Sequence, residues 1–563
     1  MAAFIQLRNL KHGIQKQLDE LYDAEAGGVL TQGEFHGPRG RISQAFGRDD
    51  RLEKENGDED DLSDAGDSQG HPYTRIPGVT LSQTNDGKDV YVVSWDSPTD
   101  PQNPQNWPTT RRMKTTIILF FIAFVVTAAS SVDSAVLTNA SMDLGVSEVT
   151  EALGGTATFL IGFGCGALFS SPLSELVGRY PVYLGALSLF GIWIMASALA
   201  PNIGAQIVFR FLAGFCGAAP LTVAGGSMSD IWNPKEKTWA FPIFAISGFG
   251  GPTLGPVIGA YIGYTGVLSW RWAEWIMLIT DGLIITMVVL GKEETLAPRL
   301  LKYKAYYFRK LTGDSRFKCE ADLHGKTLGQ VLKTNFSRPF VLAREPIVLC
   351  WTLYLSIIYI VLFTFLDGYA YIFEMTYGIN SGLTYTIFVG LFIGILLDVL
   401  LVPIVYKQTK AQLARDGDDG KGSKLDRETR LLYAMYGAPT IPIGLFWMAW
   451  TDFASISIWS PICASVLIGF GIISIFMSAY MYIIDSYEVN AASALTFVAL
   501  VRYLAAGGMT VVGVPFYKNL GPRYTLTILA CISAAVVPIP YALWKWGAKI
   551  RERSQYAIGT GGK

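Results

Sequence analysis

Apolar runs of about 20 residues recur from residue 114 almost to the end of the chain, and no other feature restricts the fold as strongly. A hydrocarbon core about 30 Å thick takes about 20 helical residues to cross. Inside lipid every backbone polar group must be satisfied within the protein, which leaves helices or closed barrels. The runs extend approximately over Lys114 to Ala135, Ala152 to Ser171, Val182 to Ala200, Gln206 to Met228, Trp239 to Ile262 and Trp272 to Gly291. After a polar stretch follow Pro346 to Tyr369, Gly382 to Tyr406, Leu431 to Trp450, Trp459 to Ile484, Ser493 to Phe516 and Thr525 to Trp544. The expectation is an all-α membrane protein with 12 transmembrane helices in two six-helix bundles, residues 113–291 and 346–546, joined by a basic central loop, 292–345. Charged residues make up 16% of the 563, against about 25% in soluble domains, which argues against a soluble enzyme.

Residues 1–112 contain no long apolar run, and Asp49 to Asp67 holds ten acids against Arg51 and Lys54. Such a segment buries too little apolar surface to offset its ordering entropy, so the whole tail is expected to be largely disordered. No signal peptide opens the chain, because Met1 to Leu21 has no unbroken apolar stretch. Lysine and arginine favour the cytoplasmic side of a membrane. One set of alternate loops carries 22 of them and the opposite set only Arg271, Lys518 and Arg523, so both termini, including the tail 547–563, are expected in the cytoplasm. The six cysteines form no CxxC pair and the four histidines lie outside the apolar runs, so no metal or other cofactor is expected. A net charge of −1 gives no attraction for nucleic acid. Gly325-Lys326-Thr327 has Glu320 where a phosphate-binding loop needs its first glycine, so no nucleotide is expected either.

Several ionisable residues fall inside the apolar runs, where they are costly and usually functional. They are Asp133, Arg210, Asp281, Asp367, Asp398 and Arg502. Arg210 requires a partner at membrane depth, and Asp133 of the first span is the candidate. Arg210 and the carboxylates Asp133, Asp281, Asp367 and Asp398 are the proton-coupling candidates, with Asp281 the best single one by depth. Arg502 demands a carboxylate or a wet cavity. Gly251, Gly255 and Gly259 recur every four residues in the fifth span, forming a groove in which another helix can pack backbone to backbone. Pro252 and Pro256 add bends by removing helix hydrogen bonds.

The loop Ser171-Pro-Leu-Ser-Glu175-Leu-Val-Gly178-Arg179-Tyr180 resembles the signature of the major facilitator superfamily, Gly-x-Leu-Ala-Asp-Arg-x-Gly-Arg-Arg. The resemblance implies a cytoplasmic latch formed by Glu175, Gly178 and Arg179 with Asp230; Leu176 and Tyr180 replace two of the family's basic residues. Arg210-Phe-Leu-Ala-Gly214 is similar to the family's Arg-x-x-x-Gly pattern, and Ser247 to Gly259 resembles its antiporter signature. Asp100-Pro-Gln-Asn-Pro-Gln-Asn-Trp-Pro108, Trp270-Arg-Trp272, Glu294-Thr-Leu-Ala-Pro298 and Tyr482-Ile-Ile-Asp485-Ser-Tyr487 resemble the fungal twelve-span drug:proton antiporter branch, in particular exporters of toxins, secondary metabolites and fungicides. This implies a multi-pass protein of the plasma membrane, or of the vacuolar membrane, that exchanges protons for amphipathic organic molecules. Tyr482, Asp485 and Arg502 are its substrate or gate candidates. The alternatives are a polyamine exporter, a nutrient symporter or facilitator, and a transporter-like receptor.

Overall fold

The computed structural model describes residues 1–28, 72–83, 87–264, 268–323, 336–415 and 427–557. They divide into two units, one of Met1–Gln6, Asn103–Arg299 and Lys326–Lys563, the other of Leu7–Gln102 and Leu300–Gly325. The chain opens with helix α1 (Ala2–Gly28). In the larger unit the first long apolar helices are α2 (Thr109–Leu144), α3 (Glu148–Val177), α4 (Arg179–Ala198), α5 (Ile203–Ile231), α6 (Lys235–Gly263) and α7 (Trp272–Gly291). Helix α8 (Ala297–Thr312) follows. The remaining long helices are α9 (Pro346–Leu366), α10 (Ser381–Ala411), α11 (Arg427–Thr451), α12 (Trp459–Tyr487) and α13 (Ala491–Arg553). Among the described residues 11 helices are thus long and apolar enough to cross a membrane. Helix α13 covers 63 residues, about 95 Å at the α-helical rise, and its backbone leaves helical geometry at Gly521 (φ 76°, ψ 164°), just before Pro522.

Each half of the bundle is built on close helix pairs. Helix α5 packs on α3 and α4 in the first half, and α12 packs on α10 and α11 in the second. The halves meet where α3 lies along α13 and where α6 lies along α10. Hydrogen bonds join them at both ends of the bundle. At the end carrying Arg179, Arg430 Nη1 donates to Thr238 Oγ1 at 2.6 Å and Tyr433 Oη to the Thr238 carbonyl at 3.4 Å. At the opposite end Tyr385 Oη donates to the Ser134 carbonyl at 3.3 Å, and the Tyr261 and Thr386 hydroxyls lie 3.0 Å apart. Lys518 Nζ reaches Glu148 at 3.2 Å there. Both ends are therefore bridged between the halves in this conformation.

The smaller unit corrects the expectation that residues 1–112 are largely disordered throughout. Strands β1 (Val79–Gln83), β2 (Asp89–Val93) and β3 (Phe317–Cys319) form a sheet in that order. β1 and β2 are antiparallel, with Val79 opposite Val93, and β3 joins β2 in parallel, with Tyr91 opposite Phe317. Leu10, Ile14, Leu18 and Leu21 repeat at three- and four-residue spacing, which places them on one face of α1. They share an apolar core with Ile76, Val79, Tyr91, Val93, Ala305, Phe308 and Phe317. The buried surface that the tail lacks is supplied by α8 and β3, from the stretch read as a central loop. Lys304 Nζ, buried, closes on Asp96 at 2.5 Å. The acidic run Asp49 to Asp67 lies outside the described residues.

Candidate functional site

Helix α2 loosens where its hydroxyl residues cluster. Ser130, Ser131 and Ser134 turn their hydroxyls back to the carbonyls of Thr127, Ala128 and Ser131, a local bond that competes with the helix ladder. The regular helix stops at Ala129 and resumes only after a 3₁₀ turn, Val132–Val136. The interruption frees the Ala129 carbonyl, which accepts from Arg210 Nη1 at 3.0 Å, and it turns Asp133 toward α5, where it pairs with Arg210 Nη2. A second carboxylate completes the group: Arg210 Nε lies 2.9 Å from Glu274, which also accepts from Ser197 Oγ at 3.0 Å. Arg210 and Glu274 are 0% exposed. One helical turn along α5, Gln206 donates to the buried Glu151 at 2.8 Å. Gly155, in the π-turn Leu153–Ala157, lies against Asp133; such turns are frequent at functional sites.

The expected Asp133–Arg210 pair is thus present, while Glu274 went unread in the sequence. It stands in the first turn of α7, where an acid is ordinary because it complements the helix dipole. With all three groups ionised, two carboxylates face one guanidinium, and a single proton neutralises the excess charge.

At the other end of the same half, Arg179 pairs with Asp230 through Nε at 3.1 Å and donates to Ser174 Oγ at 2.6 Å. Glu294 accepts from the backbone N–H groups of Arg179 and Tyr180 at 3.0 and 3.1 Å. Gly178 has φ 107°, and a side chain there would strike the Glu294 carboxylate, so both conformation and space require glycine. Gln6 brackets the Glu294 backbone, donating to its carbonyl at 3.1 Å and accepting from its N–H at 2.8 Å. Lys292 is wholly buried beneath this group, with its ammonium 4.4 Å from the Tyr183 ring centre. Burial pushes it down to about 8, against the opposing pull of Glu294 and Asp230. One sequence expectation is corrected here: Glu175 is exposed and forms no ion pair with Arg179 among the described residues. It lines a small cavity with Arg338, Ser493 and Thr496 instead.

The second half carries a counterpart. Arg430 Nε pairs with Asp485 at 2.8 Å, and Arg551 Nη1 joins Glu428 and Tyr482 Oη, each at 2.7 Å. Tyr482 and Asp485 therefore belong to a network at the Arg179 end. The groove on α6 is filled by α2: side chains added at Gly251, Gly255 and Gly259 would fall on Thr127, Ser131 and the Val132 carbonyl respectively. Pro252 and Pro256 lie within an unbroken helix beside these glycines. Asp281 is buried against Gly191 of α4 and has no hydrogen-bond partner among the described residues. Asp398 accepts from Ser474 in a 3₁₀ turn. The side chain of Asp367 lies outside the described residues.

Arg502 occupies the inter-half interface. Its guanidinium carbon lies 4.6 Å from the ring centre of Tyr359, 4.7 Å from Tyr503, 5.3 Å from Tyr480 and 5.4 Å from Phe476. Phe249 of α6 touches the Tyr359 and Phe476 rings, and Phe163 of α3 touches Tyr503.

The model of the Major Facilitator Superfamily matches residues 119–510. Among similar proteins, the MFS-type transporter kojT of Aspergillus flavus is 46% identical over 487 residues, spanning 85% of this chain and 86% of that protein. The citrinin biosynthesis cluster MFS transporter mrr1 of Monascus ruber is 35% identical over 473 residues, 83% and 93% of the two chains. Among solved structures, the proton:xylose symporter XylE with 6-bromo-6-deoxy-D-glucose aligns with a TM-score of 0.56 at 12% identity, covering 78% of this chain and 96% of that one. The family model covers most of the two-half bundle, the relatives match it over most of their length, and the chain belongs to the major facilitator superfamily.

Proposed function

We propose that the protein is a proton-coupled exporter that moves small amphipathic organic molecules by alternating access in the plasma membrane. The observation that carries this reading is the Asp133–Arg210–Glu274 group, a fully buried site with one more acid than base. Buried ionisable groups are tolerated when they do work, and this one changes its net charge by one on taking up a proton. The antiporter-like glycines of α6 support export, because they seat that helix on residues 127–132 of α2, directly beside Asp133. Twelve spans follow if α13 divides at Gly521, and the excess of basic residues then places both termini in the cytoplasm. Relatives include a transporter of the citrinin biosynthesis cluster, which favours a secondary metabolite as cargo. A polyamine cargo is disfavoured by Arg502, since the buried charge between the halves is itself a cation.

The test is uptake of a fluorescent neutral fungicide by sealed proteoliposomes containing the full chain. Antiport predicts accumulation when the lumen is acidic and loss of it on adding an uncoupler. Accumulation only with an acidic exterior would instead establish a symporter, and no dependence on either gradient would leave a facilitator or receptor.

A further inference from the structure

The arginines buried in the bundle are paired, with one exception. Arg179, Arg210, Arg427, Arg430 and Arg551 each have a carboxylate partner. Arg502 is 2% exposed and has none among the described residues. Nη2 donates to Tyr503 Oη at 3.4 Å and the Tyr480 hydroxyl bonds to the same guanidinium, while Nε and Nη1 are buried without an acceptor among the described residues. Aromatic rings at 4.6–5.4 Å attract the guanidinium through its charge, but the faces of those rings offer no acceptor to Nε and Nη1. A buried charge with unmade hydrogen bonds is expensive. Its location is informative too: α9, α12 and α13 of the second half bring the cage to α3 and α6 of the first, where the halves must separate for any cargo to pass.

We propose that Arg502 is an anion-binding subsite and that the cargo is an aromatic organic acid, a carboxylate or a comparably acidic ring hydroxyl. Its anionic oxygens accept from the two unpartnered N–H edges, and its ring stacks among Tyr359, Tyr480, Phe476 and Phe249. This assignment rests on the export reading above and narrows it to a substrate class. The planar fork of arginine matches a carboxylate in two places at once, which an ammonium does not, and the surrounding rings accept a flat ring at little entropic cost.

Three probes of one shape test this on the full chain in lipid nanodiscs: 2-naphthoate, 2-naphthamide and 2-naphthylmethylammonium, with binding read by titration calorimetry. A charge-assisted bond to a buried guanidinium predicts that the acid binds about ten- to hundredfold tighter than the amide, with the ammonium weakest. Arg502→Gln is expected to bring acid and amide within about threefold of each other. Arg502→Lys keeps the charge and is expected to retain a smaller preference for the acid, which separates loss of charge from loss of fold. Equal binding of acid and amide by the unaltered protein overturns the proposal. So do tightest binding of the ammonium, binding of none of the three, and an Arg502→Gln variant that still prefers the acid. Gradient-driven uptake of the same probes separates the two readings. Arg502-dependent binding without accumulation in acidic-lumen vesicles overturns export and leaves the anion subsite standing, whereas driven uptake with no preference for the acid does the reverse.

Discussion

Glu274→Gln is the perturbation that reads the buried charge group most directly. The amide fills the same volume and can still accept from Ser197 Oγ, which lies 3.0 Å from the carboxylate. What changes is charge. Two carboxylates and one guanidinium give a net charge of minus one that a single proton cancels, whereas the variant leaves the neutral pair Arg210–Asp133 without that excess charge. Relief of carboxylate burial offsets the weaker hydrogen bond, so folding stability should shift by no more than about 1 kcal/mol. With the membrane potential clamped, one proton exchanged per cargo molecule corresponds to about 1.4 kcal/mol for each pH unit, or about tenfold accumulation. Proteoliposomes with a lumen two pH units acidic, and with the membrane potential clamped, should therefore concentrate cargo up to about a hundredfold with the unaltered protein. The variant should not concentrate it at all, while still exchanging labelled for unlabelled cargo. Arg210→Ala is the contrasting case, because it strands two buried acids, and it should lose driven transport while folded protein remains in the membrane. Gradient-driven accumulation by folded Glu274→Gln protein at the unaltered level would refute the assignment of this group as the coupling site.

Gly255→Val should abolish folded protein, since its side chain would meet the Ser131 side chain and the Ala128 backbone; overpacking of this kind costs about 1–3 kcal/mol or more, and detergent size-exclusion profiles will report it. Lys292 is pushed down to about 8 by burial from an ordinary 10.5, so the unfolded chain binds more protons between those values, stability rises with pH across that window, and the full penalty of about 3 kcal/mol applies below it. Lys292→Met should remove that slope and raise Tm at pH 7, with the two melting curves converging near pH 10. Tyr385→Phe deletes one bond between the halves, worth about 1 kcal/mol, and should shift spin-label distances across the Glu148 end toward a more open population by about fivefold.

The apolar runs were legible because each is fixed by local composition, and so was the Asp133–Arg210 pair, because a charge at membrane depth announces its need for a partner. Glu274, Glu151 and Glu294 were not. They stand at the ends of spans, where acids are common for reasons unconnected with function, and only the three-dimensional path of α2 and α5 turns two of them inward. The folded smaller unit was missed for a related reason. The α1 face of Leu10, Ile14, Leu18 and Leu21 is visible as spacing, but the surfaces it needs, Ala305, Phe308 and Phe317, come from about 300 residues further along. Of the expected latch, the Arg179–Asp230 pair is present at the far end of α5, whereas Glu175, which the resemblance grouped with it, stays exposed and outside the pair.

The second half carries an arginine–aspartate pair without the loop motif of the first. The last turns of α10 read Lys407-Gln-Thr-Lys410, with no Gly-Arg-Arg run, yet an arginine–aspartate pair is present at the Arg179 end, made by Arg430 and Asp485. Arg430 also donates to Thr238 of the first half, so the pair that stiffens one half also holds the other. Each hydrogen bond named at this end and at the Glu148 end is worth about 1 kcal/mol net, so a bias of that size at one end shifts the balance between them. The 3₁₀ turn Val132–Val136 is placed to supply it. Asp133 in that turn faces Arg210, and the neighbouring Ser134 carbonyl accepts the Tyr385 bond that closes the Glu148 end. On the proposed function, a proton that changes the charge beside Arg210 therefore acts on a segment that is itself part of a gate, and no longer path between the coupling site and the closure is required.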